Sequence, residues 1–110
     1  MNLEATTVDS VTIVRCTGNL DTNTSIEAQE YVNKLIEDGA SKLLIDLANV
    51  DFVSSAGLRI LLATAKRLGG SEGGLRITGL NDVVNEVFEI SGFSTILDVF
   101  ASEEEALQGF

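Results

Sequence analysis

Apolar runs of two different periods alternate along this chain, and that alternation restricts the fold more than any other feature. The runs at 11–17 (VTIVRCT), 42–47 (KLLIDL), 75–79 (LRITG) and 95–100 (TILDVF) have the length and composition of strands. Between them lie helical stripes. Ala28, Val32, Leu35 and Ile36 form one, and Leu58, Leu61, Leu62, Ala65 and Leu68 form a second. A third, over 81–91, carries Val84, Val87 and Phe88. Short strands that alternate with helices imply a mostly parallel sheet with helices packed on it. The run at 42–47 is apolar nearly throughout, as expected of a strand covered on both faces. Residues 3–8 add one more strand, and Asp9-Ser10 is a hairpin turn that makes it an antiparallel edge.

Punctuation supports these elements. Thr24 with Glu27 has the spacing of a capping box before the first helix, and Ser102 with Glu105 opens a terminal helix in the same way. Gly39, Gly69-Gly70 and Gly92 stand where the three longer helices should stop. GNLD at 18–21 is a loop. With 110 residues, 45% of them hydrophobic, the chain has the size of one domain, 1–110, and enough apolar mass for one core. No proline-rich or low-complexity segment suggests a linker, and no internal repeat is present.

Charge and residue inventory remove several function classes. Seven Lys+Arg oppose seventeen Asp+Glu, for a net charge of −10. Nucleic acid and anionic membrane surfaces both call for a positive face, so neither is an expected partner. The chain has no histidine, which rules out a Ser-His-Asp triad, and no spacing sets Lys34, Lys42 or Lys66 beside a serine. One cysteine, Cys16, and no histidine leave no ordinary zinc site and no intrachain disulfide, as suits a reducing cytosol. DTNTS at 21–25 begins like a calcium loop, but Ile26 and Val32 occupy the positions of its required glycine and glutamate. GGSEGG at 69–74 follows a helix and precedes a strand, the reverse of a phosphate loop, and reads as a mobile connection. The N-terminus lacks the basic and apolar regions of a signal peptide, and no apolar run reaches the 18 residues of a membrane span.

What remains is the corner VDFVSSAGLRILL, 50–62, where a strand-like run passes into a helix. Ligands and partners of parallel sheets meet the loops at the carboxyl ends of strands, which is where this corner falls. One of Ser54 and Ser55 is expected to cap the helix. Ala56 and Gly57 keep its first turn slim enough for another protein to approach the backbone. Ile60, beside Arg59, is expected to face away from the packing stripe and to lie on a contact surface. A phosphate at a helix N-terminus is electrostatically welcome, and it adds about −1.5 to −2 charges to any surface docked there.

GNLD at 18–21 and DLANVDFVSSAGLRILL at 46–62, in this order of elements, resemble the STAS domain, and more narrowly the stand-alone anti-sigma factor antagonists of bacteria. The resemblance covers essentially the whole chain. It implies a mixed α/β fold of four to five strands, mostly parallel with an N-terminal antiparallel edge, and about four helices. It also implies partner switching in the cytoplasm without catalysis or cofactor. The unphosphorylated antagonist binds an anti-sigma factor that is also a serine kinase of histidine-kinase-like ATPase fold, and so frees the sigma factor. Phosphorylation ends binding, and a metal-dependent phosphatase reverses it. Carried over by position, the phosphorylated residue is Ser55, two places before Gly57-Leu58. Ser54 is the second candidate, because many phosphorylated members have aspartate there. Asp21 matches the family's loop aspartate. The partner surface implied comprises Asp21, Thr22, Asn23, Thr24, Ser54, Ser55, Ala56, Gly57, Arg59 and Ile60. The alternative is a non-phosphorylated scaffold or an accessory subunit of a transport ATPase. A nucleotide or small-ligand binder is the third reading, and no phosphate loop supports it.

Overall fold

Asp9 and Ser10 both take positive φ, 47° and 69°, and close a two-residue turn whose twist suits a hairpin. That turn joins β1 (Asn2–Val8) to β2 (Val11–Thr17), with Val8 opposite Val11 and Asn2 opposite Thr17. The computed structural model describes residues 1–69 and 74–110. Three further strands, β3 (Leu43–Asn49), β4 (Leu75–Thr78) and β5 (Asp98–Phe100), complete one sheet in the order β1-β2-β3-β4-β5. All neighbours after β1 are parallel. Four α-helices connect and flank them: α1 (Ser25–Glu37), α2 (Ser55–Arg67), α3 (Asp82–Ile90) and α4 (Glu103–Leu107). This is the mixed α/β architecture that the alternation predicts. Residues 70–73 of the glycine-rich connection lie outside the described residues. Among those described, no helix is long and apolar enough to cross a membrane.

The central strand explains the layering. Leu43, Leu44, Ile45 and Leu47 of β3 are all buried, because helices cover both faces of the sheet. On one face Val14, Cys16, Ile45, Leu47 and Ile77 meet α1, α2 and α3, whose Val32, Leu61 and Phe88 fill the larger core. Each such side chain, fully buried, contributes about 1.5–3 kcal/mol. Burial also pushes the Cys16 thiol up to about 12, so it is no nucleophile at neutral pH. On the other face Val11, Ile13 and Leu44 pack against Ala106 of α4, with Phe100, Leu107 and Phe110 around them.

The C-terminal segment is held to that second face by one arginine. Arg76 of β4 donates to the carbonyls of Ala106 (2.9 Å), Gln108 (2.8 Å) and Gly109 (3.3 Å). Its guanidinium also lies 4.9 Å from the Phe100 ring centre and 4.5 Å from that of Phe110, within cation–π range. Ser102 caps α4, its Oγ accepting from the Glu105 N–H at 3.1 Å, as the sequence spacing suggests.

One expected strand is shorter than its sequence pattern. The run at 95–100 is strand only over Asp98–Phe100. Gly92, at φ 80°, opens a 3-10 turn (Phe93–Thr95), and the N–H groups of Thr95, Ile96 and Leu97 bond back to Gly92 and Phe93 carbonyls. Backbone donors committed to that turn are lost to the sheet ladder.

Three charged side chains meet where β2, β3 and α4 approach. Arg15 grips Glu103 through two hydrogen bonds of 2.9 and 3.0 Å. Asp46 stands opposite Arg15 in the sheet, with its carboxyl beside that of Glu103. Desolvation, then the neighbouring Glu103 carboxyl, raises the Asp46 pKa, while Arg15 and Asp46 lower that of Glu103. Asp46 is therefore the member of the pair that takes up a proton first as pH falls. An acid whose folded pKa is raised stabilises the fold most when protonated, and its contribution is lost as pH rises through the folded value. Asn in place of Asp46 keeps an oxygen for the Ala48 N–H, which Asp46 Oδ1 accepts at 2.8 Å, and supplies a permanent donor to Glu103. Asp46→Asn is therefore expected to melt at a higher temperature than the parent at neutral pH. The gain should shrink toward acid pH, as followed by thermal denaturation across a pH series.

Candidate functional site

The loops after β2, β3 and β4 meet at the carboxyl ends of the strands, and Leu20 joins the first two. Its N–H donates to the Phe52 carbonyl at 3.0 Å, and its carbonyl accepts from the Ser54 N–H at 2.9 Å. Leu20 and Val53 thereby form a parallel bridge beyond the named strands. Both side chains are buried. Gly57, in the first turn of α2, packs directly on this bridge. A Cβ there would lie 2.7 Å from the Leu20 carbonyl oxygen, 2.9 Å from Leu20 Cγ and 3.0 Å from Val53 Cγ1.

The loop after β2 is held by its own side chains. Asp21 Oδ1 accepts from the N–H groups of Asn23 (2.9 Å) and Thr24 (3.0 Å). These bonds, that of Thr24 first, hold the Asp21 carboxyl below its ordinary value. Thr24 Oγ1 donates to the Asn19 carbonyl at 2.7 Å and accepts from the Asp21 N–H at 3.0 Å. The expected capping box is therefore not formed. Thr24 stands at the N-cap position with its hydroxyl turned back into the loop. Asp21 takes the turn's N–H groups, while the Thr24 hydroxyl is committed to the Asn19 carbonyl and the Asp21 N–H.

The two serines separate cleanly. Ser54 is the N-cap of α2, and its Oγ accepts from the Gly57 N–H at 3.2 Å. Ser55 is the first residue of the helix and is exposed. Thr22, Asn23 and Arg59 are exposed as well, and Asp21, Thr24 and Ala56 are half-buried. Ser25, Gln29, Ala56, Arg59, Ile60 and Ala63 line a shallow groove between α1 and α2 of about 310 Å³. Among the described residues, no three His, Cys, Asp or Glu side chains gather closely enough to hold a metal ion.

Two of the expected contact residues face inward. Ile60 is 8% exposed and does not present an apolar contact surface. Helix α2 packs on α1 as well as on the sheet, so its buried arc is wider than one stripe. Ile60 and Thr64 fill the second part of that arc, beside Ala28 and Val32 of α1. Gly57 is buried too, and its lack of a side chain serves the Leu20 bridge, not the approach of another protein. Two residues not singled out in the sequence belong to the surface. Phe52, 45% exposed, sits in the loop beside Val53. Its strand-like surroundings disguise it, because nothing in the run marks where the strand ends. Asn81 caps α3 through Oδ1, which accepts from the Val84 N–H at 2.8 Å. Its Nδ2 donates to the Val50 and Asp51 carbonyls at 3.2 and 3.3 Å, tying the loop after β4 to the loop after β3. An asparagine two residues after Gly79 and three before Val84 carries a cap signature, the only sequence signal for this role.

Residues 2–106 match the model of the STAS domain. The chain belongs to the STAS family. Among its relatives, the BtrV protein of Bordetella bronchiseptica is 34% identical over 110 residues, covering all of this chain and 95% of BtrV. The anti-sigma-B factor antagonist of Staphylococcus aureus is 32% identical over 99 residues, 90% of this chain and 92% of that protein. The crystal structure of an anti-sigma factor antagonist from Mycobacterium paratuberculosis superposes with a TM-score of 0.88 at 25% identity, over 96% of this chain and 90% of that one. Bacillus SpoIIAA shares the STAS fold in its unphosphorylated form (TM-score 0.79, 22% identity) and in its phosphorylated form (0.71, 21%).

The Leu20 bridge sets the sensitivity of this STAS surface to substitution. Gly57→Ala forces a methyl group against backbone and is expected to destabilise by about 1–3 kcal/mol, the usual range for overpacking. Ser54→Ala removes only the cap, about 1 kcal/mol. Denaturant titration of both variants should rank them in that order.

Proposed function

We propose that this STAS protein is an anti-sigma factor antagonist whose binding to an anti-sigma factor is ended by phosphorylation of Ser55. The observation that carries the assignment to Ser55 is the division of labour at the start of α2. The Ser54 hydroxyl is committed to the Gly57 N–H, while Ser55 is exposed and stands in the first helical turn. A kinase can reach Ser55 without undoing a cap. The relatives named anti-sigma factor antagonists support the reading of the partner. By the family resemblance, that partner is both anti-sigma factor and serine kinase, with a histidine-kinase-like ATPase fold. A metal-dependent phosphatase restores the unmodified form. The protein performs no reaction of its own in this scheme, and acts in the cytoplasm where its partners are.

The contact surface in this reading comprises Asp21, Thr22, Asn23 and Thr24 from one loop, Phe52, Ser54 and Ser55 from the next, and Ala56 and Arg59 from α2. Phe52 supplies the exposed aromatic group that interface centres favour. The switch follows from desolvation. A phosphate on Ser55 carries about −1.5 to −2 charges, is well solvated beside the N–H groups of the first turn, and must lose that water when a partner closes over it. It also adds bulk at the centre of the contact.

Three proteins test this: the parent, Ser55→Ala and Ser55→Asp, titrated against the purified anti-sigma factor by calorimetry. The expected result is equal affinity for parent and Ser55→Ala, and at least about a tenfold loss, 1.4 kcal/mol, for Ser55→Asp. Equal affinity for all three contradicts the mechanism. With kinase and ATP, phosphate should appear on Ser55 of the parent and not on Ser55→Ala. Incorporation on Ser54 would reassign the site.

A further inference from the structure

The two edges of the sheet are treated very differently. Edge strand β5 is three residues long and has α4 and the 3-10 turn beside it. Edge strand β1 is seven residues long and pairs with β2 alone. It contains no proline, lysine or bulge, the usual devices that keep an edge from pairing, and its one charged residue is Glu4. Its backbone groups on the outer side are therefore free to pair.

Which groups those are follows from the hairpin. Residues that flank a two-residue turn form a hydrogen-bonded pair, and such pairs alternate along the ladder. Val8 and Val11 flank the turn, so Val8, Thr6, Glu4 and Asn2 bond to β2. Thr7, Ala5 and Leu3 then direct N–H and C=O away from the sheet.

We propose that β1 is a self-association edge, and that a second copy of this chain pairs with it antiparallel about a two-fold axis through Ala5. In that register Ala5 faces the partner's Ala5, and Leu3 faces the partner's Thr7. All three outward-facing residues of each copy then meet outward-facing residues of the other. The edge is complementary to itself, as a two-fold contact requires. Charge agrees with the register. Glu4 falls opposite the partner's Thr6, not the partner's Glu4. Arg15 Nη1 donates across the sheet to Thr6 Oγ1 at 3.1 Å, so each Glu4 comes beside a cation of the other copy. The two Glu4 side chains are diagonal neighbours, about 7–8 Å apart at that spacing, with an arginine near each. A strand shifted by one residue would set inward-bonded groups against outward ones, so the register is unique within one step.

The consequence is a continuous sheet of twice five strands. Strands of the two copies run in opposite directions, so the surfaces around Ser55 point to opposite ends of the assembly. Each remains free to bind a partner, and self-association stands independent of the phosphorylation reading.

Proline at position 5 tests this directly. The Ala5 N–H points outward, so Ala5→Pro removes an intermolecular donor and leaves the bonds to β2 intact. Sedimentation velocity over a rising concentration series should show the parent moving from 11.7 kDa toward twice that mass. Ala5→Pro, with unchanged far-UV circular dichroism, should stay at 11.7 kDa. Amide exchange of the parent is the second readout, and it stands whether or not the proline variant folds. The Leu3, Ala5 and Thr7 amides should gain protection at high concentration and lose it on dilution. A parent that stays monomeric throughout, a mass increase retained in Ala5→Pro, or protection at Leu3, Ala5 and Thr7 that ignores concentration would each overturn the proposal. A monomeric parent would leave the edge to an extended segment of a different protein.

Discussion

Leu20 holds the surface around Ser55 together. Its two backbone hydrogen bonds, to Phe52 and from Ser54, extend the pairing of β2 with β3 past the end of the strands. Everything around Ser55 is built on that extension. The loop from Asn19 to Thr24 closes on itself through Asp21 and Thr24 and delivers Ser25 to the start of α1. Helix α2 can start where it does because Gly57 lets it sit on the Leu20–Val53 bridge. Asn81 then fastens the third loop to the same frame. The result is a surface made of loops but braced by backbone bonds and buried apolar groups, so the proposed site is held in one conformation.

The opposite face of the sheet obeys a different constraint. It is covered by a single short helix, α4, too short to be stable on its own. Arg76 and the Arg15–Glu103–Asp46 cluster supply what apolar area alone does not. They fix the C-terminal segment by satisfying its carbonyls and by pairing its first turn. Both clusters act on α4 and the C-terminal segment, away from the start of α2 where the proposed recognition takes place.

Most of the architecture was legible because local and global preferences agree. The Asp9-Ser10 turn, the doubly covered run at 43–47 and the Ser102 cap are each formed where their residue types suggest. Departures arise where a local pattern met a tertiary competitor. Thr24 and Glu27 have capping-box spacing, yet Asp21 took the Thr24 N–H and the Thr24 hydroxyl turned to the loop before it. The run at 95–100 is β-branched and apolar, yet a turn begun by Gly92 used its N–H groups first. Ile60 lies off the stripe that a single packing partner predicts, and the presence of α1 buries it. Phe52 and Asn81 were invisible for a related reason. Their roles depend on which loops lie side by side, and a single sequence does not state that.

Phosphorylation of Ser55, as proposed, acts at the surface, on a frame that does not move. Backbone amide chemical shifts, compared between the unmodified protein and protein phosphorylated on Ser55, test this most directly. The expected changes are confined to the first turn of α2 and the adjoining residues of the two loops, with the Leu20 and Ser54 amides equally protected from exchange in both forms. Loss of protection at Leu20, or shifts that spread into β2 and β3, would contradict it and would make the switch a change of fold in place of a change of surface.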